Sequence, residues 1–128
     1  MMKTVRIALI SLAVLTAVSC ITSQVAIEKN DTPLTLSQKA QDYFSNKEYT
    51  AAISYYQAII DNYKKDQFEK EIAWAYYEIG FCYFTMGNND LANKYFNTVI
   101  NDFSIQAPRV LAEKIKLKIA AKIHADKK

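Results

Sequence analysis

The sequence has few of the residues that hold metals, form disulfide frameworks or shape loops. Its 128 residues include two cysteines, one histidine, two glycines and two prolines. Two cysteines cannot build a disulfide framework, and with one histidine they cannot complete a zinc site. Motifs for phosphate loops, zinc-binding histidine pairs and dinucleotide binding are also missing. We therefore expect no enzyme, no cofactor and no metal site.

The net charge of the chain is small as well. The formal net charge is +3, which is too small to predict a nucleic-acid partner. Hydrophobic residues make up 51% of the chain, which argues against intrinsic disorder, and the few glycines argue against a fold rich in sheets or loops. A chain of this length allows one domain with an adequate core.

The N-terminus has the pattern of an export signal. Lys3 and Arg6 precede an apolar run of eleven residues, IALISLAVLTA, that begins at Ile7. As a helix this run would rise about 16 Å, roughly half the thickness of a hydrocarbon core. The pattern predicts that residues 1–19 are a signal peptide.

Cys20 directly follows the small residues of this signal. The segment LTAVSC, which ends at Cys20, resembles a bacterial lipoprotein lipobox, in which the cysteine becomes the lipid-modified N-terminus. The resemblance implies acyl chains such as palmitate on Cys20, and buried methylenes at about 0.8 kcal/mol each would hold the protein on a membrane. Ala17 and Ser19 would also suit ordinary signal cleavage. Residues 20–33 are predicted to be a lipid-attached polar tether.

Residues 34–128 are predicted to form one all-α domain with an internal repeat of forty residues. Ala40 corresponds to Gly80, and Ala52 corresponds to Ala92. Apolar residues recur at helical spacing in each unit. The pattern predicts five helices near 34–46, 48–64, 67–86, 89–103 and 108–125.

The repeat resembles the tetratricopeptide repeat, whose signature is W-x2-L-G-x2-Y followed by A-x3-F. The second unit has Tyr76, Ile79, Gly80 and Tyr83 at the first spacing, then Ala92 and Phe96 at the second. The period is forty residues instead of thirty-four, which predicts extra length in the third helix, around residues 65–72. The resemblance implies a solenoid of antiparallel helix pairs, closed by a C-terminal capping helix.

A narrower resemblance concerns a cellular process. The signal, Cys20, the tether and helices that end in sequences such as IIDNY are similar to the BamD family of outer-membrane assembly lipoproteins. This resemblance implies a non-enzymatic, lipid-anchored scaffold at the outer membrane, facing the periplasm. Its protein partners would be the periplasmic domains of the barrel insertase, with nascent barrel proteins as a second class. The alternatives are an envelope adaptor for cell-wall or division enzymes and an accessory subunit of a secretion or transport complex.

The third predicted helix is apolar almost all round. Its aromatic stripe consists of Trp74, Tyr77, Phe81 and Phe84. By the resemblance, this stripe faces a peptide-binding groove. The alternative is that the aromatic residues pack against neighbouring helices, as is usual for a helix without a broad polar face. Cys82 on the same helix is predicted to be an inert, packed thiol.

The last predicted helix is basic. Between Arg109 and Lys128 there are seven basic and two acidic residues, and Lys114, Lys118 and Lys122 recur every four positions. Such a face could bind an acidic protein surface or anionic lipid. The alternative is that the lysines form the solvated outer side of a capping helix.

Overall fold

The computed structural model describes residues 25–127. These residues form five α-helices: α1 (Pro33–Ser45), α2 (Tyr49–Asn62), α3 (Lys65–Thr85), α4 (Asn89–Asp102) and α5 (Gln106–Asp126). The described part of the chain contains no strand, so the all-α prediction is confirmed. The predicted signal peptide and Cys20 lie outside the described residues.

Local sequence explains where the helices begin. Before α1, the Thr32 hydroxyl accepts a hydrogen bond from the Thr35 amide, and Thr35 Oγ1 accepts one from the Thr32 amide. This reciprocal capping box satisfies two amides at the helix start, and Pro33 has no N–H group that needs an acceptor. Before α4, Asn88 Oδ1 accepts a hydrogen bond from the Leu91 amide at 3.1 Å. In α5 the proline lies within the first turn, so this helix begins two residues earlier than predicted, at Gln106.

The loops within the two helix pairs have the same backbone. Lys47 joins α1 to α2 with φ 64°, and Gly87 joins α3 to α4 with φ 80°. These two residues occupy equivalent positions of the forty-residue repeat. Each left-handed residue turns the chain through a loop of three residues, which leaves the helices of each pair side by side.

The additional residues of the repeat lie in α3, as the sequence predicts. This helix has 21 residues, whereas α1 has 13. Phe68 separates the first turn of α3 from the rest of the helix, because its φ of −131° and ψ of 36° are not helical. The Phe68 ring packs edge-on against Tyr63 at the end of α2, with 5.1 Å between ring centroids. The early residues of α3 therefore cover the junction between the two repeats.

The core consists of two clusters that share α3. The first cluster joins α1, α2 and α3 and includes Leu36, Ala40, Tyr56, Ile59 and Ile79. The second joins α3, α4 and α5 and includes Phe96, Val99, Ala112, Ile115 and Ile119. Because each pair of helices packs on the next, the arrangement is the predicted solenoid, and α5 covers the apolar side of the second pair.

Residues 25–32 lie against the helices. The half-buried side chains of Val25 and Ile27 pack against the first cluster. The Tyr63 hydroxyl donates a hydrogen bond of 2.8 Å to the carbonyl oxygen of Asp31, and the Asp31 carboxylate pairs with Lys39 at 2.9 Å. This ion pair lowers the pKa of Asp31 and raises that of Lys39. This part of the predicted tether is held to α1 and α2 by side chains far along the chain.

Candidate functional site

A cavity of about 520 Å³ lies between α1 and α3, with Tyr56 of α2 also in its lining. We call it the α1–α3 cavity. Its lining from α1 and the residue before it comprises Thr32, Pro33, Leu34, Ser37 and Gln41; its lining from α3 comprises Phe68, Lys70, Glu71, Trp74 and Glu78. The volume is within the range of sites that bind small molecules or single side chains of a partner.

One face of α3 supplies the charged and aromatic groups of this cavity. Glu71, Trp74 and Glu78 are spaced three and then four residues apart, so their side chains follow one another along the helix. Glu71 is exposed and Trp74 is half-buried. The result is an indole flanked by two carboxyl groups.

The environment of Glu78 differs from that of Glu71. The Glu78 side chain is half-buried, and burial raises its pKa to about 7 from the ordinary value of 4.5. No lysine or arginine among residues 25–127 forms a salt bridge with it. Glu78 was not predicted from the sequence as a site residue. The available signal was a pair of glutamates seven residues apart on either side of the single tryptophan.

The aromatic stripe of α3 divides between core and cavity. Tyr77 is 8% exposed and packs in the second cluster, with 5.8 Å between its ring centroid and that of Phe96. Trp74 meets Tyr77 edge-on at 5.6 Å and lines the α1–α3 cavity. Tyr77 is therefore a core residue, whereas Trp74 has a face on the cavity.

Phe81 and Phe84 are half-buried at the other end of the stripe. The Phe81 ring stacks on Phe44 of α1 with 5.7 Å between centroids, and it lies 6.2 Å from the Phe84 ring. Neither residue lines the α1–α3 cavity. Phe81 joins the C-terminal parts of α1 and α3, and a binding role for Phe81 and Phe84 remains a prediction.

Comparison with protein families identifies the repeat. The sequence model of the tetratricopeptide repeat matches residues 31–103, a span that contains α1 to α4. The chain belongs to the tetratricopeptide repeat family. No curated protein and no solved structure matches it.

Tetratricopeptide repeats are protein-interaction scaffolds, typically without enzymatic activity. In such arrays the first helices of successive repeats line the surface that receives a partner. Here those helices are α1 and α3, and the α1–α3 cavity is formed between them. Membership of the family therefore indicates a protein-interaction scaffold.

The lysines of α5 lie on the helix that follows the matched span of residues 31–103. Lys114, Lys118 and Lys122 recur every four residues along it. Lys114, Lys118 and Lys122 are all exposed. Lys116, on another side of α5, donates a hydrogen bond to Asn97 Oδ1 of α4. The role of the exposed lysines in binding a protein or lipid remains a prediction.

Cys82 lies on the inner side of α3. It is fully buried, and burial raises the pKa of its thiol to about 12. A thiol with so high a pKa is a poor nucleophile, which agrees with the prediction of a packed side chain. Among residues 25–127, no cluster of three or more histidine, cysteine, aspartate or glutamate side chains is arranged to hold a metal ion. None of the described helices combines the length and apolar character needed to span a membrane.

Proposed function

We propose that this protein is a lipid-anchored periplasmic scaffold that binds a segment of a partner protein in the α1–α3 cavity. The observation that supports binding at this place is the half-buried Trp74 between two carboxyl groups in a cavity of about 520 Å³. The cavity lies between the first helices of two tetratricopeptide repeats. A partly exposed tryptophan in a concave site is the kind of residue that dominates protein-binding energy.

The proposed location follows from the N-terminal sequence. Residues 1–19 have the pattern of an export signal, and Cys20 stands where a lipoprotein would carry its acyl chains. We place the protein at the outer membrane, facing the periplasm. The resemblance to the BamD family supports β-barrel assembly as the process, with the periplasmic domains of a barrel insertase and nascent barrel proteins as partners.

Metabolic labelling tests the anchor. Cells that express the tagged full chain are fed an alkyne analogue of palmitate, and the protein is purified from detergent-solubilised envelopes. The wild-type chain is expected to carry the label and to fractionate with the outer membrane, whereas Cys20→Ala is expected to do neither. An unlabelled wild-type chain that fractionates with soluble proteins would contradict the anchor.

Crosslinking in cells tests the process. Proteins crosslinked to the tagged chain are identified by mass spectrometry, with Cys20→Ala as the control for membrane location. A barrel insertase that is enriched with wild type and reduced with the control is the expected result. Enrichment of cell-wall enzymes, division proteins or transport subunits instead would refute the role in barrel assembly and would support an envelope adaptor.

A further inference from the structure

The α1–α3 cavity has an imbalance of charge. Its lining contains two acidic side chains, Glu71 and Glu78, and one basic side chain, Lys70. Glu78 is half-buried and has no salt-bridge partner among residues 25–127. Burying a carboxylate without a cation is unfavourable, so a ligand that brings a positive charge would remove this cost.

The walls around these carboxyl groups are aromatic. Trp74 lies between Glu71 and Glu78 along α3, and Phe68 and Tyr56 also line the cavity. An aromatic face attracts a cation through its quadrupole, most strongly when the aromatic residue is tryptophan. The cavity thus offers both a counter-charge and a flat surface for one positively charged group.

We propose that the α1–α3 cavity binds an arginine side chain from an extended segment of the partner, with the guanidinium between Trp74 and the carboxylate of Glu78. This inference depends on the proposed protein-binding function and adds the chemistry that is recognised. A guanidinium is planar, weakly hydrated and able to pair with a carboxylate through two hydrogen bonds. An apolar side chain would exclude water from Glu78 without supplying a counter-charge, and an acidic one would be repelled.

Recognition of a cation requires ionised Glu78, so affinity depends on pH. Because burial raises the pKa of Glu78 to about 7, the Glu78 carboxyl group of the free protein is only partly ionised near neutrality. Affinity for an arginine peptide should rise about tenfold between pH 6 and pH 8 as the ionised fraction increases. Burial raises the pKa of the neighbouring Tyr56, Tyr77 and Cys82 above their ordinary values, so these groups stay neutral in this window. The cavity lining also contains the uncharged Ser37 and Gln41 of α1 and the charged side chains of Lys70 and Glu71.

Trp74 provides a direct readout, because it is the single tryptophan of the chain. The full chain in detergent micelles is titrated with the capped peptide acetyl-Gly-Leu-Arg-Leu-Gly-amide. The matched probe replaces arginine by citrulline, which has the same shape without the charge. We expect the arginine peptide to change Trp74 fluorescence and to bind about tenfold more tightly at pH 8 than the citrulline peptide.

Two variants assign this difference to one carboxyl group. Glu78→Gln keeps the side-chain shape and should bring the two peptides to within about twofold of each other, without pH dependence. Glu113→Gln, at an exposed position of α5, should leave the tenfold difference unchanged. Circular dichroism and urea unfolding verify that both variants are folded.

Equal affinity for the two peptides, or a Glu78→Gln variant that still prefers arginine, would overturn the inference. In either case the peptides still bind, so the proposed protein-binding function stands. Failure of both peptides to change Trp74 fluorescence or to bind by calorimetry at millimolar concentration would also overturn it. Crosslinking in cells then decides separately whether the chain has a protein partner.

Discussion

Gly80 of α3 lies so close to Phe96 of α4 that a Cβ atom at residue 80 would stand 2.7 Å from Cε1 of the ring. The equivalent residues of the first repeat, Ala40 and Tyr56, are buried in the same way between α1 and α2. The second pair of helices therefore depends on the missing side chain, whereas the first accommodates a methyl group.

Gly80→Ala is expected to lower the free energy of unfolding by roughly 1 to 2 kcal/mol. Overpacking against Phe96 costs about 1 to 3 kcal/mol, and the better helix propensity of alanine offsets somewhat under 1 kcal/mol of that cost. Urea unfolding measures the change. The double variant Gly80→Ala with Phe96→Leu should lose less stability than the losses of the two single variants added together. The smaller leucine side chain relieves the contact with the added methyl group. A Gly80→Ala protein more stable than wild type would contradict this packing.

Lys47 and Gly87 provide a pair of opposite substitutions. Lys47→Gly should increase stability by about 0.5 to 1 kcal/mol, because φ 64° strains a residue that has a Cβ atom. Gly87→Ala should decrease stability by about 1 kcal/mol, because its φ is 80° and its added Cβ gains no contact. Thermal unfolding of both variants gives the signs. If both substitutions changed stability in the same direction, residues 47 and 87 would not share the left-handed conformation.

Substitutions of Tyr77 and Trp74 should distinguish a core residue from one that lines the cavity. Tyr77→Ala should lower the free energy of unfolding by about 3 to 4 kcal/mol, because the ring fills the second cluster. Trp74→Ala should cost about half as much, because one face of the indole lines the cavity. Urea unfolding followed by circular dichroism compares the two variants. Equal losses would assign Trp74 to the core and would remove the basis for its binding role.

Glu78 should make stability depend on pH. Burial raises its folded-state pKa to about 7 from 4.5, so between these values the folded protein binds more protons than the unfolded chain. Its contribution is fully present below pH 4.5 and is lost as the pH rises through 7. Glu78→Gln should therefore match wild type near pH 4 and exceed it by about 2 kcal/mol at pH 8, allowing for partial exposure.

The control for this pH effect is Glu71→Gln, because Glu71 is exposed on the same face of α3. Urea unfolding at several pH values should show a difference that grows with pH for Glu78→Gln alone. A constant difference across the range would place the Glu78 carboxyl group in a solvated environment.

The forty-residue repeat, with apolar residues at helical spacing in each unit, was sufficient to predict the helix pairs. Small residues such as Ala40 and Gly80 recur where the helices meet. The repeat could not predict which residues of the aromatic stripe of α3 pack in the core and which line the cavity. Tyr77 and Trp74 both belong to an apolar face of α3. In the fold, Tyr77 is buried in the second cluster with residues of α4 and α5, whereas Trp74 is half-buried beside it. The place of Glu78 in the cavity was not predicted either, since Ser37 and Gln41, which line the same cavity, belong to α1 and are distant in sequence.

The contacts of residues 25–32 were also not predicted. Val25 and Ile27 belong to a stretch of three apolar residues, VAI, in an otherwise polar segment, which is too short to show a helical or strand period. Their partners are in the first cluster, and Tyr63, which binds the Asp31 carbonyl oxygen, is 32 residues further along the chain. Contacts between residues so distant in sequence are set by the folded helices.

Site-specific photocrosslinking in cells is the most direct test of protein binding at the α1–α3 cavity. A photoreactive amino acid replaces Leu34, which lines the cavity and is 67% exposed, or Leu117 of α5, which is 72% exposed and outside it. We expect a discrete partner to be crosslinked from position 34, less of it in a Glu78→Gln background, and none from position 117. A partner captured from position 117 alone, or from neither position, would contradict it.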